Sequence, residues 1–392
     1  MLLYYFLAAL ATWFGIQSLL NGFRYAAYVR RETRRPLPDF QPFASVIVPG
    51  RGLEPGLAEN LQTLLTQDYP RYEVLFVFDR ADDPAVRIVE ELFSRGFTRI
   101  ARTIIAGPAT DSGQKVHNLR VAVTKIDPGS EVIVFVDTDA RPGREWLKQL
   151  VAPLADETLG ASTGYRWFIP EKGGLASRLR GVWNASIASA LGGDTTKNFC
   201  WGGSTAIRRS TFERLKVNDR WRGTVSDDFT ITHVLKEANF PVHFMPNCLV
   251  PSVGDCDLRE LLEFTTRQIK ITRVYAPHLW LPLLLGSALF TIAFFGGLIL
   301  IGVYPRSSAA YIFVSLIFTL GAAKSFIRFR AVSSVLRTSH RDLLAHIFLW
   351  PFASLLYLYN TVAAGFSRRI EWRGITYELK SPNEAVIISR DS

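Results

Sequence analysis

Cysteine is scarce in this chain: 392 residues carry three, Cys200, Cys248 and Cys256, at irregular spacing. So few thiols exclude a disulfide framework and a zinc module. They suit a domain whose cysteines stay reduced in a cytosolic setting. No G-x-G-x-x-G follows a strand-like run, which disfavours a dinucleotide-binding fold. RNA-binding signatures and DNA-reading motifs are missing too, although the net charge is +10, from 45 Lys plus Arg against 35 Asp plus Glu. Charge itself is missing from residues 1–23. An uncharged run of that length spans a hydrocarbon core of roughly 30 Å. A cleaved signal peptide is the rival reading, and the lack of a basic stretch ahead of the apolar run counts against it.

What is present is apolar residues, 48% of the chain, gathered at its two ends. Arg24, Arg30, Arg31, Arg34 and Arg35 crowd the flank of the first run. The positive-inside rule places that flank in the cytoplasm and Met1 outside, and the same arginines can touch anionic headgroups. Residues 279–303 and 343–366 are each long enough to cross, and 307–323 is shorter. Lys324, Arg328, Arg330, Arg337 and Arg341 mark a further inside loop. These features predict an integral, multi-pass membrane protein whose polar domain faces the cytoplasm. Most of the excess positive charge lies beside apolar segments, so the bilayer rather than nucleic acid is the expected partner. The side of the tail stays open. Four spans put it outside, whereas Arg368, Arg369 and Arg373 argue for inside, and Pro351 offers a break that would make the last segment a re-entrant hairpin.

Pro36, Pro38 and Pro42 stiffen a linker between membrane and polar region. A-S-V-I-V-P-G-R-G, residues 44–52, then reads as a strand ending in a tight turn. Helical leucine spacing follows over 57–66, a strand over 73–78 ending in D-R-A-D-D-P, a helix over 85–93, and a strand over 99–105. The fourth strand enters V-I-V-F-V-D-T-D-A-R-P, residues 132–142. This alternation predicts a mostly parallel α/β sheet, in which ligands bind at the carboxyl ends of the strands. In extended chain, residues i and i+2 face the same side. Asp137 and Asp139 thus offer oxygens to one hard cation, Mg2+ or Mn2+, which would hold a diphosphate. The bland alternative, two surface aspartates in a turn, is opposed by the rest of the chain.

A second carboxylate pair stands in T-V-S-D-D-F, residues 224–229, ahead of helical spacing at Ile231, Val234 and Leu235. Asp227 and Asp228 there either serve proton transfer or complement a helix N-terminus. In F-C-W-G-G-S-T-A-I-R-R, residues 199–209, Gly202 and Gly203 permit close backbone approach. Trp201 offers a sugar-stacking face or, equally, a core ring behind a hairpin turn. Residues 175–191 and 257–275 have the pattern of helices lying in the bilayer interface, a pattern that core-facing helices share.

The order of S-V-I-V-P, a strand ending in Asp79, D-T-D and S-D-D resembles inverting nucleotide-sugar glycosyltransferases of the GT-A fold. Within these it looks most like the ceramide glucosyltransferase group. D-D-P-A-V at 82–86, the single anchor, the C-terminal apolar segments and, more loosely, W-R-G at 372–374 are similar to that group. The resemblance implies a carboxylate that recognises the nucleobase, at Asp79 with Asp82 or Asp83. A carboxylate can accept the imide N–H of uracil, while Asp83 equally suits a helix cap. Lys115 in S-G-Q-K-V-H-N matches a lysine loop beside the nucleotide, as a point charge suited to phosphate. Pro49 and Arg51 of the first turn, with Trp201, Gly202 and Gly203, join the donor-binding set. Asp228 is the implied general base, with Asp227 its companion. The family's Q-x-x-R-W or R-x-x-R-W motif is altered: 264–275 reads F-T-T-R-Q-I-K-I-T-R-V-Y, leaving Arg267, Gln268, Lys270 and Arg273 to place donors near a leaving diphosphate.

The expected organisation is an anchor at 1–23, a linker at 24–42, a GT-A catalytic domain at 43–256, an interfacial helix at 257–277, apolar segments at 278–367 and a tail at 368–392. The expected activity is inverting transfer of a hexose, glucose by resemblance, from a UDP-sugar to a membrane lipid hydroxyl, with a divalent cation. The rivals are a polysaccharide or polyprenyl-phosphate sugar synthase and a catalytically inactive membrane scaffold.

Overall fold

The computed structural model describes residues 1–97 and 100–390, so Arg99, the expected start of the third strand, lies outside the described residues. The chain divides into two compact units: Met1–Arg31, Pro170–Gly192 and Asp255–Ser367 form one, and Glu32–Ile169, Gly193–Gly254 and Arg368–Ser392 the other. The catalytic stretch is therefore not the continuous 43–256. A piece of its middle belongs with the apolar helices, and the supposed tail is folded into the α/β unit.

The α/β unit is built on seven strands: β1 (Ala44–Pro49), β2 (Tyr72–Phe78), β3 (Ala101–Ile105), β4 (Val132–Phe135), β5 (Ala161–Ile169), β6 (Thr205–Arg208) and β7 (Val242–Val253). Their order is β3-β2-β1-β4-β6-β5-β7. All neighbours run parallel except at β6, which is antiparallel to both β4 and β5. β1 and β4 are buried along their whole length, which is why they read as unbroken apolar runs rather than alternating ones. Helices Gln114–Val123 and Asp227–Glu237 contribute Val116, Leu119, Ile231 and Leu235 to a core with Ile47, Leu75, Ile133 and Phe135. Trp221 closes that core, 5.5 Å from the Phe135 ring and 5.4 Å from Phe212. β8 (Arg369–Trp372), β9 (Ile375–Ser381) and β10 (Glu384–Arg390) form a separate antiparallel sheet.

In the other unit, Leu2–Glu32, Pro277–Val303 and Ser308–Val332 are long and apolar enough to cross a membrane. The first helix runs through Arg24, Arg30 and Arg31, so the linker begins later than residue 24. Ala8 and Ala11 admit Phe294 and Val314 closely against it. The last apolar segment is broken, His340–Phe348 and Trp350–Phe366 meeting at 60°. Pro351 sits in the first turn of the second piece, where its missing N–H costs nothing. Helices Leu175–Ala188 and Leu258–Tyr275 pack on Trp350–Phe366, with the Trp183 ring stacked 4.9 Å from Tyr357.

Candidate active site

Parallel pairing brings the carboxyl ends of β1, β2 and β4 together, and each ends near a charged residue. Arg51 follows β1 and Asp79 follows β2, and the two are ion-paired. Asp83 accepts from the Gly52 N–H (2.9 Å) and the Ala85 N–H (2.8 Å), so it caps the helix Pro84–Ser94 and pins the turn after β1. Asp82 is exposed and paired with Arg80 at 2.7 Å. Of the three aspartates, Asp79 is the one with a buried oxygen, Oδ1, that lacks a hydrogen-bond partner among the described residues.

β4 stops at Phe135, because its antiparallel neighbour β6 begins at Thr205, directly opposite. Asp137 and Asp139 thus lie in the turn beyond the strand, not within it. They still converge, since one guanidinium bridges them: Arg166 of β5 lies 3.2 Å from Asp137 and 3.1 Å from Asp139. Lys115 sits 2.7 Å from the other Asp137 oxygen and 3.1 Å from Asp227. Burial pushes the Asp137 carboxyl up, but Lys115 and Arg166 outweigh it and hold it below its ordinary range. Burial likewise opposes the Lys115 charge, yet Asp137, Asp227 and Asp228 hold that ammonium protonated well above the usual lysine range.

The second pair opens the helix Asp227–Glu237, with Ser226 as its N-cap. Asp228 accepts from the Ser226 hydroxyl and from the Phe229 N–H (2.8 Å), so it does complement the helix terminus. Asp227 is 2% exposed. Its carboxyl is pushed up to about 6, by burial first and then by Asp228 and Asp137, against the pull of Lys115. Lys115 reaches it because the Gly113 N–H donates to the Thr224 carbonyl (2.8 Å), tying the loop before one helix to the loop before the other. Gly202 is required at this spot: a Cβ there would lie 2.1 Å from Asp227 Oδ2 and 2.8 Å from Lys115 Nζ. Trp201 is buried, 5.5 Å from the Tyr165 ring and 4.9 Å from the Arg166 guanidinium, which favours its reading as a core ring.

Three residues outside the expected site set enter this cluster. Arg166 was detectable as a lone charge inside the buried run A-S-T-G-Y-R-W-F-I, where it demands acidic partners. Glu54 accepts from the Thr138 hydroxyl, and burial, then Asp139, push its carboxyl above the ordinary range. Arg373 pairs with Glu54 at 2.6 Å. Arg267, Gln268, Lys270 and Arg273 all lie on Leu258–Tyr275, in the other unit. There Arg267 pairs with Glu263 (3.4 Å), and Arg273 donates to the Ala364 carbonyl and covers the Trp280 ring.

Among the described residues, no group of three or more His, Cys, Asp or Glu gathers in a metal-ligating arrangement. Two carboxylates are nevertheless enough for a hard cation whose remaining ligands are phosphate oxygens and water. Asp139 Oδ1 is buried and lacks a hydrogen-bond partner among the described residues, so Asp137 and Asp139 fit such a cation.

The profile described as Glycosyl transferase family 21 matches residues 4–385. Ceramide glucosyltransferase 3 of Caenorhabditis elegans is 32% identical over 81 residues, 21% of this chain and 18% of that protein. Ceramide glucosyltransferase 1 of the same organism is 30% identical over 101 residues, 26% of this chain and 22% of that protein. The matched stretch therefore spans about a fifth of the length of these relatives. The mannosyltransferase PcManGT from Pyrobaculum calidifontis, solved in complex with GDP-Man and Mn2+, superposes with a TM-score of 0.50 at 19% identity, over 93% of this chain and 98% of that one. It shares the GT-A fold.

Proposed function

This chain belongs to glycosyl transferase family 21, and from that premise we propose that it transfers a hexose from a UDP-sugar to a membrane lipid hydroxyl, with inversion. It is a glycosyltransferase carrying apolar helices fit to cross a membrane. Glucose and ceramide are the donor sugar and acceptor that the names of the relatives favour. The observation that carries the reading is the gathering of Asp137, Asp139, Asp227 and Asp228 around Lys115 and Arg166, with Asp79 paired to Arg51, at the carboxyl ends of the strands.

Asp79 accepts the base imide through Oδ1, with Arg51 fixing the other oxygen. Asp137 and Asp139 would hold a divalent cation, Mg2+ or Mn2+, which supplies positive charge to the diphosphate when bound. Asp228 takes the proton of the acceptor hydroxyl. The freed oxygen attacks the anomeric carbon from the face opposite the diphosphate, and the carbon–oxygen bond to UDP breaks with its electron pair leaving on UDP. A single displacement turns an α-linked donor into a β-linked glycolipid. Asp227 does not compete for this role, since it is buried against Lys115 and holds that ammonium in place. The arginines in the last turns of the first helix, Arg24, Arg30 and Arg31, support a cytoplasmic α/β unit.

The test is purified chain in lipid bicelles with ceramide, UDP-glucose and Mn2+, its lipids read by mass spectrometry and their anomeric linkage by NMR. A single β-linked hexosyl lipid, lost in EDTA and in Asp139→Asn, is the expected result. An α-linked product, a ladder of oligosaccharides, or full turnover in EDTA would overturn the corresponding part.

A further inference from the structure

The small sheet β8–β10 reaches the rim of this carboxylate cluster. The Gln114 N–H donates to the Tyr377 hydroxyl (3.1 Å), and Arg390 reaches the Ala109 carbonyl and Gln114 Oε1 (3.4 Å). The Asn383 carbonyl abuts Gly223, where an added Cβ would come within 2.0 Å of it. These contacts fasten the sheet to the loops that deliver Lys115 and Asp227.

β8 and β9 are joined by two residues, Arg373 and Gly374, since Trp372 pairs with Ile375. Both turn residues are left-handed, at φ 53° and 70°. Such a turn favours Asn, Asp or Gly at its first position, so a β-carbon-bearing arginine is held there against a conformational cost. The turn aims the arginine inward. Its carbonyl accepts from Arg51 Nε (2.9 Å), and its guanidinium pairs with Glu54, whose other contact is Thr138 of the D-T-D turn. Arg373 also contributes to the charge that holds down the Asp137 carboxyl.

Among the cations beside these carboxylates, Lys115, Arg166 and Arg51 are held by aspartates, and Arg373 by Glu54. Lys115 and Arg166 are buried beneath the aspartates they neutralise, and Arg51 is taken by Asp79. The Arg373 side chain is 40% exposed, and its partner Glu54 already faces Asp139. We propose that Arg373 binds the diphosphate of the nucleotide sugar, its guanidinium exchanging Glu54 for phosphate oxygens, so that the C-terminal hairpin completes a donor site that the seven-stranded sheet leaves short of a mobile cation. The inference rests on the nucleotide-sugar reading above. A planar guanidinium matches a diphosphate with two parallel hydrogen bonds, and its charge opposes the charge that grows on the leaving group. Arg267 and Arg273 belong to Leu258–Tyr275 in the other unit, and Arg373 supplies a guanidinium from within the α/β unit.

The experiment compares UDP and uridine binding, by calorimetry in Mn2+, to the full-length detergent-solubilised chain and to Arg373→Gly and Arg373→Lys. Glycine suits the left-handed turn, so this variant deletes the guanidinium without straining the hairpin. UDP affinity should fall roughly 10- to 100-fold in Arg373→Gly, and part of it should return in Arg373→Lys. Uridine affinity should stay within about twofold, because a nucleoside has no diphosphate to lose. An equal loss for UDP and uridine makes the arginine a support for the hairpin and overturns the proposal. Unchanged UDP affinity also overturns it while leaving the donor reading intact. Wild-type chain that binds no UDP overturns both.

Discussion

Replacing Asp227 by asparagine isolates the charge crowding at the centre of the site. Asp227 has its carboxyl pushed up from 3.8 to about 6, by burial first and then by Asp228 and Asp137. An acid whose folded pKa is raised is favoured in its protonated form by the fold. Its contribution is complete below about pH 4 and is lost as pH rises through about 6. A displacement of about two units corresponds to about 3 kcal/mol. Asparagine has the shape of the protonated acid and never ionises, and Lys115 keeps Asp137 as a partner at 2.7 Å. At pH 8, without donor or divalent cation, Asp227→Asn should therefore be more stable than the parent by about 3 kcal/mol. At pH 4 the two should converge. Equilibrium denaturation in detergent at pH 4, 6 and 8 reads the difference directly. Parallel pH profiles, or a variant that is less stable at pH 8, would refute the reasoning, because either would mean that the pull of Lys115 outweighs burial and the neighbouring carboxylates.

Asp228→Asn should lower transfer roughly 100-fold or more with UDP affinity retained, as read by kcat alongside calorimetry; an equal loss of affinity would make Asp228 a binding residue. Gly202→Ala should cost on the order of 100-fold in transfer by displacing Asp227 and Lys115, whereas Gly143→Ala, with open space around its Cβ, should be silent. Sealed right-side-out vesicles should make glycolipid only when UDP-sugar is enclosed, and labelling from outside would reverse the orientation.

The elements that carry local signals were legible in the sequence. β1, β2 and β4 announce themselves as apolar runs because both faces of the sheet are covered. The charged residues that follow them are brought to one edge of the sheet by parallel pairing. Pro351 was readable as a break, and the chain bends by 60° just before it. What escaped notice is non-local. Arg166 is 29 residues from Asp137 along the chain, and Arg373 is 319 from Glu54, so only the fold reveals them as partners. The sheet β8–β10 is hard to read as a hairpin from sequence because its turn carries Arg-Gly rather than Asn-Gly. Its alternation in I-T-Y-E-L-K-S, buried at every second residue through Leu379, was the available signal.

Because Arg368–Ser392 and Glu32–Ile169 build one folded unit, a chain that entered a bilayer between Asp255 and Ser367 would begin and end on one face of it. A path that starts and finishes on the same face crosses an even number of times. If Pro277–Val303 and Ser308–Val332 both cross, they account for one passage out and one back. Parity would then keep the bent pair His340–Phe348 and Trp350–Phe366 from crossing, so that it dips in and returns by the face it entered. On that path the basic tail and the arginines at the end of the first helix share a compartment, and the conflict that counting four apolar segments creates would vanish. Chain direction also sets an order of assembly. Arg373 is made after every membrane helix, so the α/β unit gains its last sheet only once the whole membrane path has been laid down.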